Sequence, residues 1–162
     1  MDESTSARAE TPADLAERVG SRAQRARLTV AVAESLTGGA VATALAAAPA
    51  AGRWFAGGVV AYQDHVKFEV LGVEPGPVAT AECARQMVVG VRRLLRADVA
   101  VAVTGVGGPE PDEGQPAGRA YLAVAGPGGD VDVQRLDAPG DPVEVVACTV
   151  VRALSMLADA IS

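Results

Sequence analysis

The chain has 162 residues, 49% hydrophobic and 21% charged, with a formal net charge of -6 at pH 7. That length suits one domain with one sizeable core, and the composition is not that of a disordered chain. An acidic chain lacks the clustered Lys and Arg of a nucleic-acid binder, and no stretch reaches the roughly 18 to 20 apolar residues of a membrane span, so neither nucleic acid nor membrane is an expected partner.

In chain order, Met1 to Glu10 mixes acids with Ser and Ala and has no apolar segment. It is unlike a secretory signal and predicts a flexible tail over 1–10, ahead of one domain over 11–162. Thr11-Pro12-Ala13-Asp14 starts a helix, with Thr at the cap, Pro in the first turn and an acid three residues on. Leu15, Val19 and Ala23 mark its inner face to about Ala26. A β-branched apolar strand from Leu28 to Ala33 follows. It runs into the turn Glu34-Ser35-Leu36-Thr37-Gly38-Gly39, and then into an Ala-rich helix over Ala40 to Ala48. Gly57 to Tyr62 reads as a second strand, and Asp64 to Leu71 as a short helix capped by Asp64 and ended by Gly72. Glu74-Pro75-Gly76-Pro77 is a turn.

Thr80 caps a long helix with Ala84, Met87 or Val88, Val91 and Leu94 or Leu95 facing inward. Asp98 to Val103 is a strand that leads into Thr104-Gly105-Val106-Gly107-Gly108. The polar loop Glu110 to Gly118 comes next. Arg119 to Ala125 and Asp130 to Leu136 form a hairpin around Gly126-Pro127-Gly128-Gly129. Asp141-Pro142-Val143-Glu144 starts a last helix with Val143, Val146, Val150, Leu154, Leu157 and Ile161 at helical spacing. Aromatics make up 3% of the chain, so the core is built from Ala, Val and Leu. Alternating helices and strands predict an α/β domain, with an antiparallel pair near the end of a largely buried sheet. Cys83 and Cys148 fall in predicted helices among apolar neighbours, without metal-ligand spacing. Both read as reduced core residues, which points to the cytoplasm.

The turn at Ser35 carries the chemistry. A serine between a strand end and a helix N-terminus sits beside unpaired N–H groups that can hold a phosphate or an oxyanion, and its hydroxyl becomes a nucleophile if a base is near. Alternatively, Ser35 or Thr37 only caps the helix. Lys67, about one turn into the helix after Tyr62, is the only lysine, and the other thirteen basic residues are arginines. A single lysine is by default a solvated surface residue, but arginine cannot give up its proton near neutral pH, so a lone lysine in an arginine-using chain is also a candidate base. His65, the only histidine, would point about 200° from Lys67 on a helix, so both cannot face Ser35. The segment from Thr104 to Gly108 is either an anion-binding nest or a crossover turn. No cluster of His, Cys and carboxylates suggests a metal site.

Three motifs carry a family resemblance. Glu34 to Gly39 resembles A-E-S-C/x-T-G-G. Val59 to Val73 is similar to V-x-Y-S-N-x-x-K-x-x-x-L-G-V, and Thr104 to Gly118 to S/T-G-x-A-G-P…P-x-G. Together, over residues 12 to 161, they resemble the CinA C-terminal domain family of nicotinamide-nucleotide amidohydrolases. The resemblance implies a single three-layer α/β/α domain with a mixed, largely buried sheet. It implies self-association, as a homodimer or higher oligomer. It also implies hydrolysis of the carboxamide of nicotinamide mononucleotide to nicotinic acid mononucleotide and ammonia in nicotinamide-nucleotide recycling, without a metal or organic cofactor.

Carried over by position, Ser35 is the nucleophile, Lys67 its base and Tyr62 an assisting group. Glu34, Thr37, Gly38, Gly39, Thr104 and Gly105 bind substrate. The chain departs from the pattern in two places. The Ser-Asn after the tyrosine is Gln63-Asp64. The arginines of G-D-R-x-x-V-R are replaced by Pro142 and Val146, which predicts a weaker hold on a substrate phosphate unless Arg119 or Arg135 takes over. Two alternatives stand beside the deamidase: a non-catalytic ligand-binding or assembly domain of this fold, and an amidohydrolase for a different small substrate.

Overall fold

The computed structural model describes residues 8–162. The elements run α1 (Pro12–Ala26), β1 (Val30–Glu34), α2 (Ala40–Ala46), α3 (Ala51–Trp54), β2 (Phe55–Val60), α4 (Asp64–Leu71), α5 (Ala81–Leu94), β3 (Val99–Gly105), β4 (Arg119–Ala125), β5 (Val131–Asp137) and α6 (Pro142–Ala160). The five strands form one sheet in the order β2-β1-β3-β4-β5. β1 is parallel to both β2 and β3, whereas β4 is antiparallel to β3 and β5. Helices cover both faces, giving the mixed three-layer α/β/α arrangement.

Alternation along the central strands decides which helices each face receives. Val30 and Val32 of β1, with Val99, Val101 and Val103 of β3, join a core with Leu15, Val19, Leu154 and Leu157 from α1 and α6. Ala31 and Ala33, with Ala100 and Ala102, point the other way and meet Met87, Val88 and Val91 of α5. Successive side chains in a strand alternate faces, so the sheet is valine-rich on one side and alanine-rich on the other. The small side chains let α5 lie close. It also meets α4 closely: a Cβ at Gly90 would stand 1.9 Å from the Leu71 carbonyl oxygen.

Local signals explain the long helices. Thr11 and Asp14 form a reciprocal capping box at α1, as Asp141 and Glu144 do at α6, and the Thr80 hydroxyl accepts from the Cys83 N–H at α5. Several expectations need correction. Asp64 does not cap α4: it is the first helical residue, Gln63 before it is the cap residue and makes no side-chain bond, and the Asp64 carboxylate lies 3.9 Å from the Lys67 Nζ. The Ala-rich segment ends as a helix at Ala46, and the unforeseen α3 brings Trp54 into the core, its indole N–H on the Pro49 carbonyl. Leu28 and Thr29 stay outside the sheet, since Thr29 exchanges hydrogen bonds with Asp98.

Val143 is not an inner-face residue: it is 79% exposed, and Val145 is buried in its stead. Leu94 is also exposed, and Leu95 packs against the α5 side of the core. Cys148 is half-buried at the core margin, whereas Cys83 is buried. Of the expected tail over 1–10, residues 1–7 lie outside the described residues, and Glu10 accepts a hydrogen bond from Arg18 at 2.9 Å. Among the described residues no helix is long and apolar enough to cross a membrane.

Candidate active site

The turn after β1 is built around a buried carboxylate. Glu34 is 1% exposed. Its Oε1 accepts from the Thr37 hydroxyl at 2.6 Å and the Val41 N–H at 2.9 Å, and its Oε2 accepts from the Ala42 N–H at 3.0 Å. A carboxylate at the start of a helix satisfies N–H groups that have no partner inside it and offsets their partial positive charge. The cap residue is Gly39, in a left-handed conformation with φ 105°, so neither Ser35 nor Thr37 caps α2. Freed from capping, Ser35 is 7% exposed and its hydroxyl takes part in no hydrogen bond among the described residues. It opens on a cavity of about 400 Å³, within the roughly 300–1,000 Å³ of small-molecule sites.

Lys67 lines the same cavity, as do Tyr62, Asp64, Gly105 and the segment Gly107 to Asp112. The short helix α4 presents Lys67 inward, 1% exposed, and turns His65 outward. The Lys67 Nζ donates to the Tyr62 carbonyl at 3.2 Å and lies 3.9 Å from an Asp64 oxygen. Burial holds the Lys67 ammonium below its ordinary value, because a charged amine loses hydration there, and Asp64, Cys83 and Glu113 oppose that shift. The Cys83 thiol is pushed up to about 11, chiefly by burial, so it stays protonated and unreactive near neutral pH. The Tyr62 side chain is 64% exposed at the cavity mouth.

The far wall follows from β3. Gly105 ends that strand with φ 147°, where a Cβ would come within 2.4 Å of the Arg119 carbonyl oxygen. Glycine is therefore required for the chain to leave the strand there. The expected nest is partly spent: the Val106 N–H donates to the Arg119 carbonyl at 2.8 Å. The loop is then fastened across the cavity. The Glu113 carboxylate accepts from the Val78 N–H at 3.0 Å and the Ala79 N–H at 2.7 Å, and Val78 also lines the cavity.

Ser35, Tyr62 and Lys67 are thus brought together on one cavity. Of the residues expected to bind substrate, Gly105 alone is on its wall. Glu34 and Thr37 are spent on each other and on α2, Gly38 and Gly39 form the turn behind Ser35, and the buried Thr104 hydroxyl donates to the Val78 carbonyl at 2.7 Å. Asp64 and Glu113 were not singled out as site residues. The three-residue spacing from Asp64 to Lys67 puts them on one side of a helix and is the signal that could have marked Asp64. Glu113 has no such local signal.

The arrangement can do general-base chemistry on a serine. The free hydroxyl supplies a nucleophile, and an amine lowered by burial can take its proton. The two groups are not hydrogen-bonded to each other, the amine being held by Tyr62 and Asp64.

Residues 12–161 match the family described as the CinA C-terminal domain. A relative from Desulforamulus reducens, named as a competence-damage inducible protein, is 41% identical over 143 residues, covering 85% of this chain and 34% of that protein. A CinA-like protein from Frankia casuarinae is 40% identical over 134 residues, 80% of this chain and 31% of its own length. The chain therefore spans about a third of the length of these curated relatives. A crystal structure of a competence-damaged protein (CinA) superfamily protein from Enterobacter cloacae superposes with a TM-score of 0.95 at 30% identity, covering 100% of this chain and 99% of that one.

Proposed function

Since the chain belongs to the CinA C-terminal domain family, we propose that it is an amidohydrolase in which Ser35 and Lys67 cleave a small primary carboxamide, with nicotinamide mononucleotide as the substrate that the family resemblance implies. Neutral Lys67 takes the Ser35 hydroxyl proton as Oγ attacks the carboxamide carbon. The protonated amine then gives a proton to the departing nitrogen, so ammonia leaves and an ester remains on Ser35. Water, deprotonated by the same amine, attacks that ester and releases the carboxylic acid and the free serine. The Tyr62 carbonyl and the Asp64 carboxylate hold the amine in place, and the tyrosine ring at the mouth can cover the bound pyridine.

The observation that carries this reading is the sharing of one cavity by an unpartnered Ser35 hydroxyl and the chain's only lysine, buried and shifted down. The test is ammonia release from nicotinamide mononucleotide by the purified protein and by Ser35→Ala. Release that disappears in the variant supports the reading; equal release in both removes Ser35 as nucleophile.

A non-catalytic binding domain is the second reading, and a specific observation favours it. Neither Pro142 nor Val146 restores the absent arginines, and Arg119 and Arg135 are both engaged by Asp137. No release at millimolar substrate by either protein would favour that reading. Two further proposals go with it: a cytoplasmic location, which rests on the unpaired Cys83 and Cys148, and a symmetric homo-oligomer, which rests on small-residue helix faces and on exposed apolar side chains such as Val60, Val70 and Val89.

A further inference from the structure

The charges around the cavity point to a substrate class. Asp64, Glu110 and Asp112 line it, and Lys67 is the only basic residue on its wall. No salt bridge among the described residues neutralises Glu110 or Asp112. Arg119 donates to Asp137 at 2.7 Å and to Gln115 at 3.1 Å, and Arg135 is 3.3 Å from Asp137. Neither arginine reaches the cavity wall. Val146 packs against the apolar cluster under α6, and exposed Pro142 belongs to the α6 capping turn. The Val78 and Ala79 amides, a ready seat for an anion at the rim, already hold the Glu113 carboxylate. A phosphate brought here meets three carboxylates and, among the described residues, Lys67 as its one basic side chain, already 3.9 Å from Asp64, whereas a cation meets an excess of complementary charge.

We infer that this cavity prefers an amide carried on a body without a phosphate group to its phosphorylated counterpart, nicotinamide riboside over nicotinamide mononucleotide being the simplest pyridinium pair. This rests on the Ser35–Lys67 reading for the chemistry and on the cavity's own charges for the choice. Ser35, 7% exposed as a residue and with its hydroxyl free of hydrogen bonds among the described residues, is what the carboxamide would approach, and the carboxylates at the loop would face the rest of the molecule. The reaction stays balanced: carboxamide and water give carboxylic acid and ammonia.

The test compares ammonia release from nicotinamide riboside and from its 5′-phosphate by the native protein and by the double variant Glu110→Gln, Asp112→Asn. The riboside is expected to lead in kcat/KM by about tenfold or more, which corresponds to about 1.4 kcal/mol. Added salt should narrow the ratio, because screening weakens the repulsion of the phosphate. The double variant should narrow it further. A lead for the phosphorylated compound, or a ratio that ignores both salt and the two carboxylates, overturns the inference while leaving the hydrolase intact. Calorimetric binding of both compounds to Ser35→Ala decides the matter independently of turnover. Tighter binding of the riboside supports the charge preference even if no ammonia is released by any form, which would fault only the catalytic reading. Tighter binding of the phosphorylated compound, or binding of neither, overturns the inference.

Discussion

At the residue scale, two buried ionisable groups have opposite tasks. Glu34 is structural, with three donors on its two oxygens. Glu34→Gln turns one acceptor into a donor that must face an N–H or a hydroxyl. The variant should lose roughly 1–3 kcal/mol in urea unfolding, the cost of a buried donor left unpaired. An unchanged midpoint would show that the turn does not depend on the carboxylate. Lys67 is the reverse, a buried group whose charge is held against burial. Its pKa in the native protein lies below the ordinary lysine value of 10.5, so between those two values the unfolded chain binds the proton more readily. Native stability therefore rises with pH through that window. Lys67→Met lacks this dependence, so its stability relative to the native protein should fall as pH is raised toward 10.5. A constant difference in urea midpoints across that range would contradict the shift.

At the element scale, α4 brings Lys67 to the cavity, and α5 holds α4 in place. Gly90 lets them touch, since a side chain there would meet backbone atoms of Leu71 at 1.9 and 2.8 Å. Gly90→Ala should destabilise by about 1–3 kcal/mol, as overpacking does, and should lower activity as well, because α4 must move. A variant with lost stability and full activity would separate Lys67 from this packing. At α6, Val146 packs on the core and is absent from the cavity wall. Val146→Arg is therefore expected to leave KM for the mononucleotide unlowered, which steady-state kinetics would check.

The helices with explicit caps were readable from the sequence. Thr11, Thr80 and Asp141 each stand where a cap residue is needed, and each makes the bond expected of it. The sheet was readable from its valine-rich runs, with ends shifted by one or two residues. What escaped depended on contacts distant in sequence or on competition for a side chain. Asp64 answers Lys67 rather than its own helix, Glu34 reaches past the turn to α2, and α3 is a four-residue turn whose reason is the burial of Trp54. The pairing of Ser35 with Lys67 was readable chiefly through the family resemblance, because each residue taken alone also suits a bland place, a helix cap for Ser35 and a solvated surface for Lys67. The Glu113 fastening was not, because it needs the loop and the Val78 segment to be already adjacent.

At the scale of the whole molecule, the sheet brings the β1 turn, the start of α4 and the loop after β3 to one end, and the cavity is the gap between them. The exposed valines lie off the cavity wall, Val60 on the edge strand β2 and Val70 and Val89 on α4 and α5, and light scattering should give a mass of at least a dimer at micromolar concentration. A monomer mass would contradict self-association. In the proposed mechanism Lys67 supplies a proton acceptor and not merely a positive charge. Ammonia release by Lys67→Arg, in protein whose thermal melt shows it folded, tests this most directly. Arginine keeps the charge and cannot act as the base, so the rate should fall by about 10²- to 10⁴-fold, the usual range for lost general-base assistance. A rate close to that of the native protein would contradict the account.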